Sequence, residues 1–283
     1  MQLQRTPNQR PDCPLCCSSA EHCMSLAHTD VWRCLAAGCG LRFAAPQPSQ
    51  ADLTRAYTQL YYPGHEALSE GLLENTPHEV VRQVFQHLET RVGGLKGKRL
   101  LDYGCGRGHL LRVGIEHAMH PNGIEPDPNA RATAARLPHA RIHASLAELR
   151  STETSPKFDL ICLWTVIEHL REPWVDLREL RSVLSPDGWL LITTMDIRCL
   201  RARIERERWE NYANPTHLYY FDRRSLERAI RASGFWDFTH WSVKIRYPVH
   251  GFLRRCLYRT TFHLGLSDGL FFLCRGLNHA ESR

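Results

Sequence analysis

The sequence predicts a doubly wound α/β domain preceded by a small cysteine-rich module. Three observations predict it. Short apolar runs alternate with helix-patterned segments from Lys98 onward, and a turn with three alternating glycines (Gly104, Gly106, Gly108) follows the first run. Six of the 11 cysteines (Cys13, Cys16, Cys17, Cys23, Cys34, Cys39) also crowd into the first 40 residues. Strand–helix alternation demands parallel pairing, because each strand must return through a right-handed crossover. A chain of 283 residues accommodates one such domain and an appendage. Its 43% hydrophobic and 23% charged residues suit a folded globular protein. No run approaches the roughly 18 apolar residues of a membrane span. Met1 to Asp12 lacks the apolar stretch of a signal peptide, so a cytoplasmic location is expected.

The elements follow in order. Pro46-Gln-Pro-Ser-Gln50 marks a boundary after the cysteines. A helix begins at Thr76, with Pro77 at its first position, Glu79 completing a capping box, and Val80, Val84 and Leu88 at helical spacing. Gly93-Gly94 ends it. Arg99 to Asp102 is a strand, followed by the glycine turn and a helix through about Glu116. A second strand spans Asn122 to Glu125, with a helix near Asn129 to Leu137, and a third lies near Ala140 to His143. Phe158 to Trp164 is the fourth, followed by a helix over Pro173 to Leu184. Ser185-Pro-Asp-Gly188 turns into a fifth strand, Trp189 to Thr194. A helix near Ser225 to Ser233 precedes two late strands, Phe235 to Val243 and Leu270 to Cys274. The domain boundaries expected are 1–45 for the module, 46–95 for a linker and helical cap, and 96–283 for the main domain, with a covering insert at about 196–221.

The glycine turn carries the chemistry. Glycine serves where backbone must take positive φ or let a ligand approach without a Cβ in the way. Glu125 lies 23 residues after Asp102, at the end of the next strand, where a carboxylate accepts ribose hydroxyls. Dinucleotide enzymes also place glycines here, but this turn lacks the spacing of GxGxxG. Asp102 beside the loop would repel a pyrophosphate, whereas it suits a zwitterionic amino-acid tail and a sulfonium. Those features favour S-adenosylmethionine.

The segment from Lys98 to Thr194 resembles the class I S-adenosylmethionine-dependent methyltransferase core, and within it the small-molecule group that includes the ubiquinone-pathway O-methyltransferases. The resemblance rests on Asp102 to Gly108, Gly123-Ile-Glu-Pro-Asp127, Phe158 to Leu170 and Leu184-Ser-Pro-Asp-Gly188, and extends loosely through His217-Leu-Tyr-Tyr-Phe221 and Ser225-Leu226 to the last strand. It implies a Rossmann-like seven-stranded sheet whose last strand is antiparallel. It also implies that Gly104 and Gly106 border the methionine end and that Glu125 holds the ribose, with Asp102, Gly108 and Trp164 completing the cofactor set. Many relatives place an acidic residue after the third strand for the adenine; here the run is Ala144-Ser145-Leu146, leaving Ser145 or backbone for that contact.

Cys13-Pro-Leu-Cys16 and Cys34-Leu-Ala-Ala-Gly-Cys39 form two clips separated by 17 residues. Two such clips supply the four thiolates of a structural zinc site, and a reducing compartment favours metal over disulfides. Trp32-Arg-Cys34 and Cys39-Gly-Leu-Arg-Phe43 resemble zinc-ribbon modules that precede methyltransferase domains. The second clip has four intervening residues where two are usual, and Cys17, Cys23, His22 and His28 are spare ligands.

Ligands of open parallel sheets lie beyond the strands' carboxyl ends. Three segments can cover that edge: Tyr57 to His65 with Tyr61-Tyr62, Trp164 to His169, and the long connection Asp196 to Phe221. Glu168, His169 and His217 are the catalytic candidates, with His217 preferred as general base because an aromatic run, Tyr219-Tyr-Phe221, follows it. The net charge of +6 gathers between Arg198 and Arg259, where fourteen Lys/Arg face six Asp/Glu. Arg198, Arg201, Arg203, Arg206 and Arg208 either form a solvated helix face with Glu205 and Glu207 or recognise an anionic acceptor. Residues 249–266 read as an amphipathic helix with basic Arg254, Arg255 and Arg259, packed on the core, or in peripheral contact with a membrane surface or a lipid-linked substrate. The expected activity is methyl transfer to a small acceptor, anionic or glycan- or lipid-linked. An RNA methyltransferase and a non-catalytic S-adenosylmethionine-binding protein are the alternatives.

Overall fold

A computed structural model describes residues 10–61, 78–241 and 269–276. The Thr76–Pro77 helix start, the Tyr61–Tyr62 side chains with the stretch to His65, and the 249–266 segment lie outside the described residues, as do the last two residues of the late strand expected over Phe235 to Val243.

Three short strands come first: β1 (Ala20–Ser25), β2 (Asp30–Cys34) and β3 (Arg42–Ala45). Helices α1 (Gln50–Tyr61) and α2 (His78–Arg91) connect them to the main sheet. Val80, Val81, Val84, Phe85 and Leu88 bury one face of α2, as the helical spacing requires. The main domain then runs β4 (Arg99–Tyr103), α3 (His109–Glu116), β5 (His120–Ile124), α4 (Pro128–Ala134), β6 (Arg141–His143), α5 (Leu146–Thr152), β7 (Phe158–Trp164), α6 (Pro173–Val183) and β8 (Leu184–Met195). The insert follows as α7 (Leu200–Glu205), a single 3₁₀ turn, α8 (Glu210–Ala213) and β9 (Tyr219–Tyr220). The chain ends with α9 (Arg223–Ala232), β10 (Phe238–His240) and β11 (Gly269–Arg275).

The main sheet has seven strands in the order β10-β11-β8-β7-β4-β5-β6, with β11 antiparallel to both neighbours. The order reverses between β4 and β7, which opens a crevice at their carboxyl ends. Both faces are covered, so the central strands are continuous apolar runs. Leu100, Leu160, Cys162 and Leu191 pack toward α2 and α3 on one face; Leu101, Ile161, Leu163, Leu190 and Ile192 pack toward α6 and α9 on the other. That two-residue alternation is the pleat itself.

Three local expectations change. The Ser185–Gly188 turn is absorbed into β8 as a bulge, because the register with β7 jumps from Phe158↔Leu184 to Leu160↔Trp189. The Asp159 carboxylate left opposite the bulge accepts the Arg99 amide at 2.8 Å instead. Glu125 lies one residue beyond β5, its amide bonded to the His143 carbonyl. The insert is not one arginine-bearing helix; it breaks at Arg206, whose φ is +50°.

The cysteine-rich module does not stand apart. Its sheet has the order β1-β2-β3-β9, so the fourth strand comes from the insert. Arg42 pairs with Tyr220 and Phe43 with Tyr219. Cys13, Cys34, Cys39, Leu41 and Phe43 belong to the same buried cluster as α6 and α9.

Candidate functional site

The glycine turn occupies the crevice. Gly104, Gly106 and Gly108 all have positive φ, at 80°, 52° and 85°. They are required for different reasons. A Cβ on Gly104 would lie 2.7 Å from Val166, and one on Gly108 would lie 2.6 Å from Leu137, so these two permit packing. A Cβ on Gly106 would meet nothing within 4 Å, so its face forms an open cradle at the crevice, where a ligand could lie. The Glu125 carboxylate lies across this cradle, accepting the Gly106 amide and the Asp127 amide at 2.8 Å each. Burial raises its acid pKa, while those two amides oppose the shift. A carboxylate offers about four lone-pair sites, so two remain for hydroxyls. Asp102 is 3% exposed at the end of β4, and burial, reinforced by the charge of Glu125, pushes its pKa up to about 8. A buried carboxyl that resists ionisation until a cation arrives suits a sulfonium or ammonium ligand.

Ser145 is the N-cap of α5, its Oγ accepting the Glu148 amide at 3.1 Å. Trp164 ends β7, partly buried and edge-on to Phe271 at 6.0 Å. These residues, with Asp102 and the glycines, fit an adenosine-bearing amino acid lying across β4, β5 and β6.

The three catalytic candidates converge beyond β7. Glu168, His169 and His217 each place a side-chain donor or acceptor atom within 4.8 Å of the others, and the two imidazoles meet edge-to-face at 4.6 Å. The hydrogen-bond network fixes both tautomers. His217 donates from Nδ1 to the Asn211 carbonyl at 2.9 Å, and its Nε2 accepts from the Asn214 amide at 3.2 Å. That amide cannot flip, because its oxygen accepts the Thr216 amide and hydroxyl. Both nitrogens of His217 are therefore engaged. His169 donates from Nδ1 to the Thr216 carbonyl at 3.1 Å, which leaves Nε2 with the lone pair. Burial lowers both histidines, His169 to about 4, so both stay neutral at physiological pH. Burial also raises Glu168 to about 7, against a hydrogen bond from Thr194.

The insert arginines take another place. Arg201 pairs with Glu205 and Glu210, and Arg198, Arg203, Arg206 and Arg208 are exposed. None of them lines the cavity beside Glu168. Sequence reasoning missed Trp209 and Asn211, which do line it, and named Tyr220, which lines it too, only within the aromatic run after His217. Nothing local distinguishes them from ordinary core residues.

Cys13 and Cys39 bring their sulfurs to 3.9 Å, Cys16 and Cys34 to 3.5 Å, and all four lie within 4.8 Å of one another. Four thiolates about 2.3 Å from a central ion would be spaced much like this. Cys17 is exposed, and neither it, Cys23, His22 nor His28 joins the group.

The methyltransferase-domain family model matches residues 74–238. A ubiquinone biosynthesis O-methyltransferase from Haemophilus ducreyi is 29% identical over 133 residues, 42% of this chain and 53% of that protein. A tRNA U34 carboxymethyltransferase from Campylobacter hominis is 29% identical over 161 residues, 53% of this chain and 54% of that protein. The chain spans about half the length of the curated relatives it matches. Among solved structures, the Burkholderia thailandensis 1,6-didemethyltoxoflavin-N1-methyltransferase, with bound S-adenosylhomocysteine, superposes with a TM-score of 0.54 at 14% identity. That likeness covers 91% of this chain and all of the other. No described helix is long and apolar enough to cross a membrane.

Proposed function

The chain belongs to the methyltransferase-domain family, and from that premise we propose that it transfers a methyl group from S-adenosylmethionine to a small acceptor held beyond β7 and β8. The observation carrying this reading is the open face of Gly106 between Asp102 and Glu125, at the point where the strand order reverses. The donor supplies a methyl carbon made electrophilic by its sulfonium. In this reading Glu125 takes the ribose hydroxyls and Asp102 provides the negative charge that a cationic ligand recruits. Ser145 already caps α5, so adenine recognition falls to backbone at the end of β6, with Trp164 at the margin.

On the acceptor side we assign the general base to His169 in place of His217. A base needs a free lone pair within reach of the departing proton. His169 keeps one on Nε2, held in place by the Thr216 carbonyl behind it, whereas Asn214 occupies that of His217. Glu168 is the adjacent proton acceptor. The exposed insert arginines support a solvated face, so the acceptor we propose is uncharged where it enters the site. The tRNA-directed relative supports an RNA acceptor as the second reading, which a gel shift with unmodified tRNA would test.

Cys13, Cys16, Cys34 and Cys39 are proposed to hold one structural zinc. The division proposed is a module over residues 1–45, connecting helices over 46–95 and a catalytic domain over 96–283, with the 196–221 insert shared between the first and the last. Glu125→Ala should weaken S-adenosylmethionine binding by about 10–100-fold, the worth of charge-assisted hydrogen bonds. Unchanged affinity in calorimetry of the folded variant would remove the ribose assignment.

A further inference from the structure

Among the described residues, seven buried side-chain polar atoms lack a hydrogen-bond partner, and four of them belong to residues that line one cavity: Glu168 Oε2, Trp209 Nε1, Asn211 Nδ2 and Tyr220 OH. Their residues are 3%, 0%, 8% and 3% exposed. Buried polar groups are almost always paired, so four orphans on the residues around one space point to a shared partner. The cavity measures about 10 Å³, room for about one oxygen-sized group.

The chemistry of the lining restricts that group. Trp209 Nε1 can only donate, the Asn211 amide donates through Nδ2 or accepts through Oδ1, Tyr220 can donate or accept, and Glu168, with its pKa raised to about 7, accepts when ionised and donates when protonated. An ammonium would leave Trp209 Nε1 without an acceptor. A carboxylate or phosphate would satisfy Trp209 but set its charge against Glu168 whenever that is ionised. A hydroxyl accepts from Trp209 and, because it both donates and accepts, hydrogen-bonds Glu168 in either protonation state. We propose that this cavity anchors the acceptor and takes one uncharged hydroxyl group of it, with Trp209, Asn211 and Tyr220 as the residues that select it. The inference rests on the methyltransferase reading and names the acceptor chemistry of that same site. Such hydroxyls come from sugars or from phenols.

Saturation-transfer NMR on the full chain loaded with S-adenosylhomocysteine tests it. The probes are tetrahydropyran-2-methanol, for a sugar-ring alcohol, and phenol, each beside a carboxylate counterpart that carries no hydroxyl, tetrahydropyran-2-carboxylate and benzoate. The hydroxyl probe that binds identifies the source, and its carboxylate counterpart should bind at least about 10-fold more weakly, as expected for an unpaired buried charge. Tyr220→Phe removes only an unpartnered hydroxyl, so its fold should be unharmed. It should raise the bound probe's Kd by about 5–10-fold, the worth of one hydrogen bond, and leave S-adenosylhomocysteine affinity within about twofold. Carboxylates binding as well as hydroxyls, a Tyr220→Phe variant with unchanged probe affinity, or no probe binding with a lone water in the cavity would each overturn the proposal. Failure to bind S-adenosylhomocysteine would instead overturn the methyltransferase reading.

Discussion

The glycine turn after β4 and the polar cavity beyond β7 share one edge of the sheet, yet they draw on the chain very differently. Asp102, Gly106 and Glu125 sit within one strand–helix–strand unit, and the Glu125 carboxylate is held by the Gly106 and Asp127 backbone amides. The cavity takes Glu168 from the loop after β7, Trp209 and Asn211 from the insert, and Tyr220 from a strand that exists only by pairing with β3 of the module. Further bonds fasten that arrangement: Ala44 donates to the Leu218 carbonyl, Leu218 to the Glu168 carbonyl, and Gln47 to the Tyr219 hydroxyl. A site made from neighbours in sequence should survive damage elsewhere. One assembled across the chain should not.

The largest effect expected lies on the acceptor side. His169→Gln should cut kcat by about 10²–10⁴ with S-adenosylmethionine affinity nearly intact, the usual range for losing a general base. His217→Gln should cost less, because both its nitrogens are already spent on structure. The reverse ranking in steady-state kinetics would return the role to His217.

Loss of the metal ligands should separate the two regions most sharply. Elemental analysis of the reduced protein should find one zinc per chain. In Cys39→Ser, hydrogen exchange of residues 209–221 should accelerate by about 10-fold or more as β9 loses its template, while residues 99–125 keep their protection. Parallel loss of protection in both regions would mean that the module supports the whole fold and not the acceptor edge alone.

The smallest effect, and one of opposite sign, belongs to Asp102. Its folded pKa of about 8 stands far above the roughly 3.9 of an unfolded aspartate. The folded chain thus holds a proton that the unfolded chain has released. This group therefore opposes folding increasingly as pH rises from about 4 to 8. Asp102→Asn should stabilise the ligand-free protein by about 1–3 kcal/mol near pH 8, the order of relieving an uncompensated buried group. The wild type should gain S-adenosylmethionine affinity as pH rises toward 8, and Asp102→Asn should abolish that gain. Thermal melts and calorimetry across that range would expose a variant that is destabilised, or one whose affinity still follows pH.

The sequence alone determined the sheet, the glycine turn, the Glu125 position and the four clustered cysteines. Each is a local signal: two-residue or helical periodicity, glycine at positive φ, or ligands spaced along a short stretch. The tertiary structure alone decided the acceptor side. Tyr219–Tyr220 is a strand of two residues with no periodicity to read, and Arg42 reaches the Tyr212 hydroxyl from 170 residues away. The same holds for His217, whose residue type suggests a base but whose remaining lone pair faces the Asn214 amide only in the folded chain. It holds for the insert arginines, whose charge says nothing of direction: the break at Arg206 leaves Arg198, Arg203, Arg206 and Arg208 exposed and Arg201 paired with Glu205 and Glu210. Partners set the availability of a lone pair or the direction of a charge, and partners distant in sequence meet only when the chain has closed on itself.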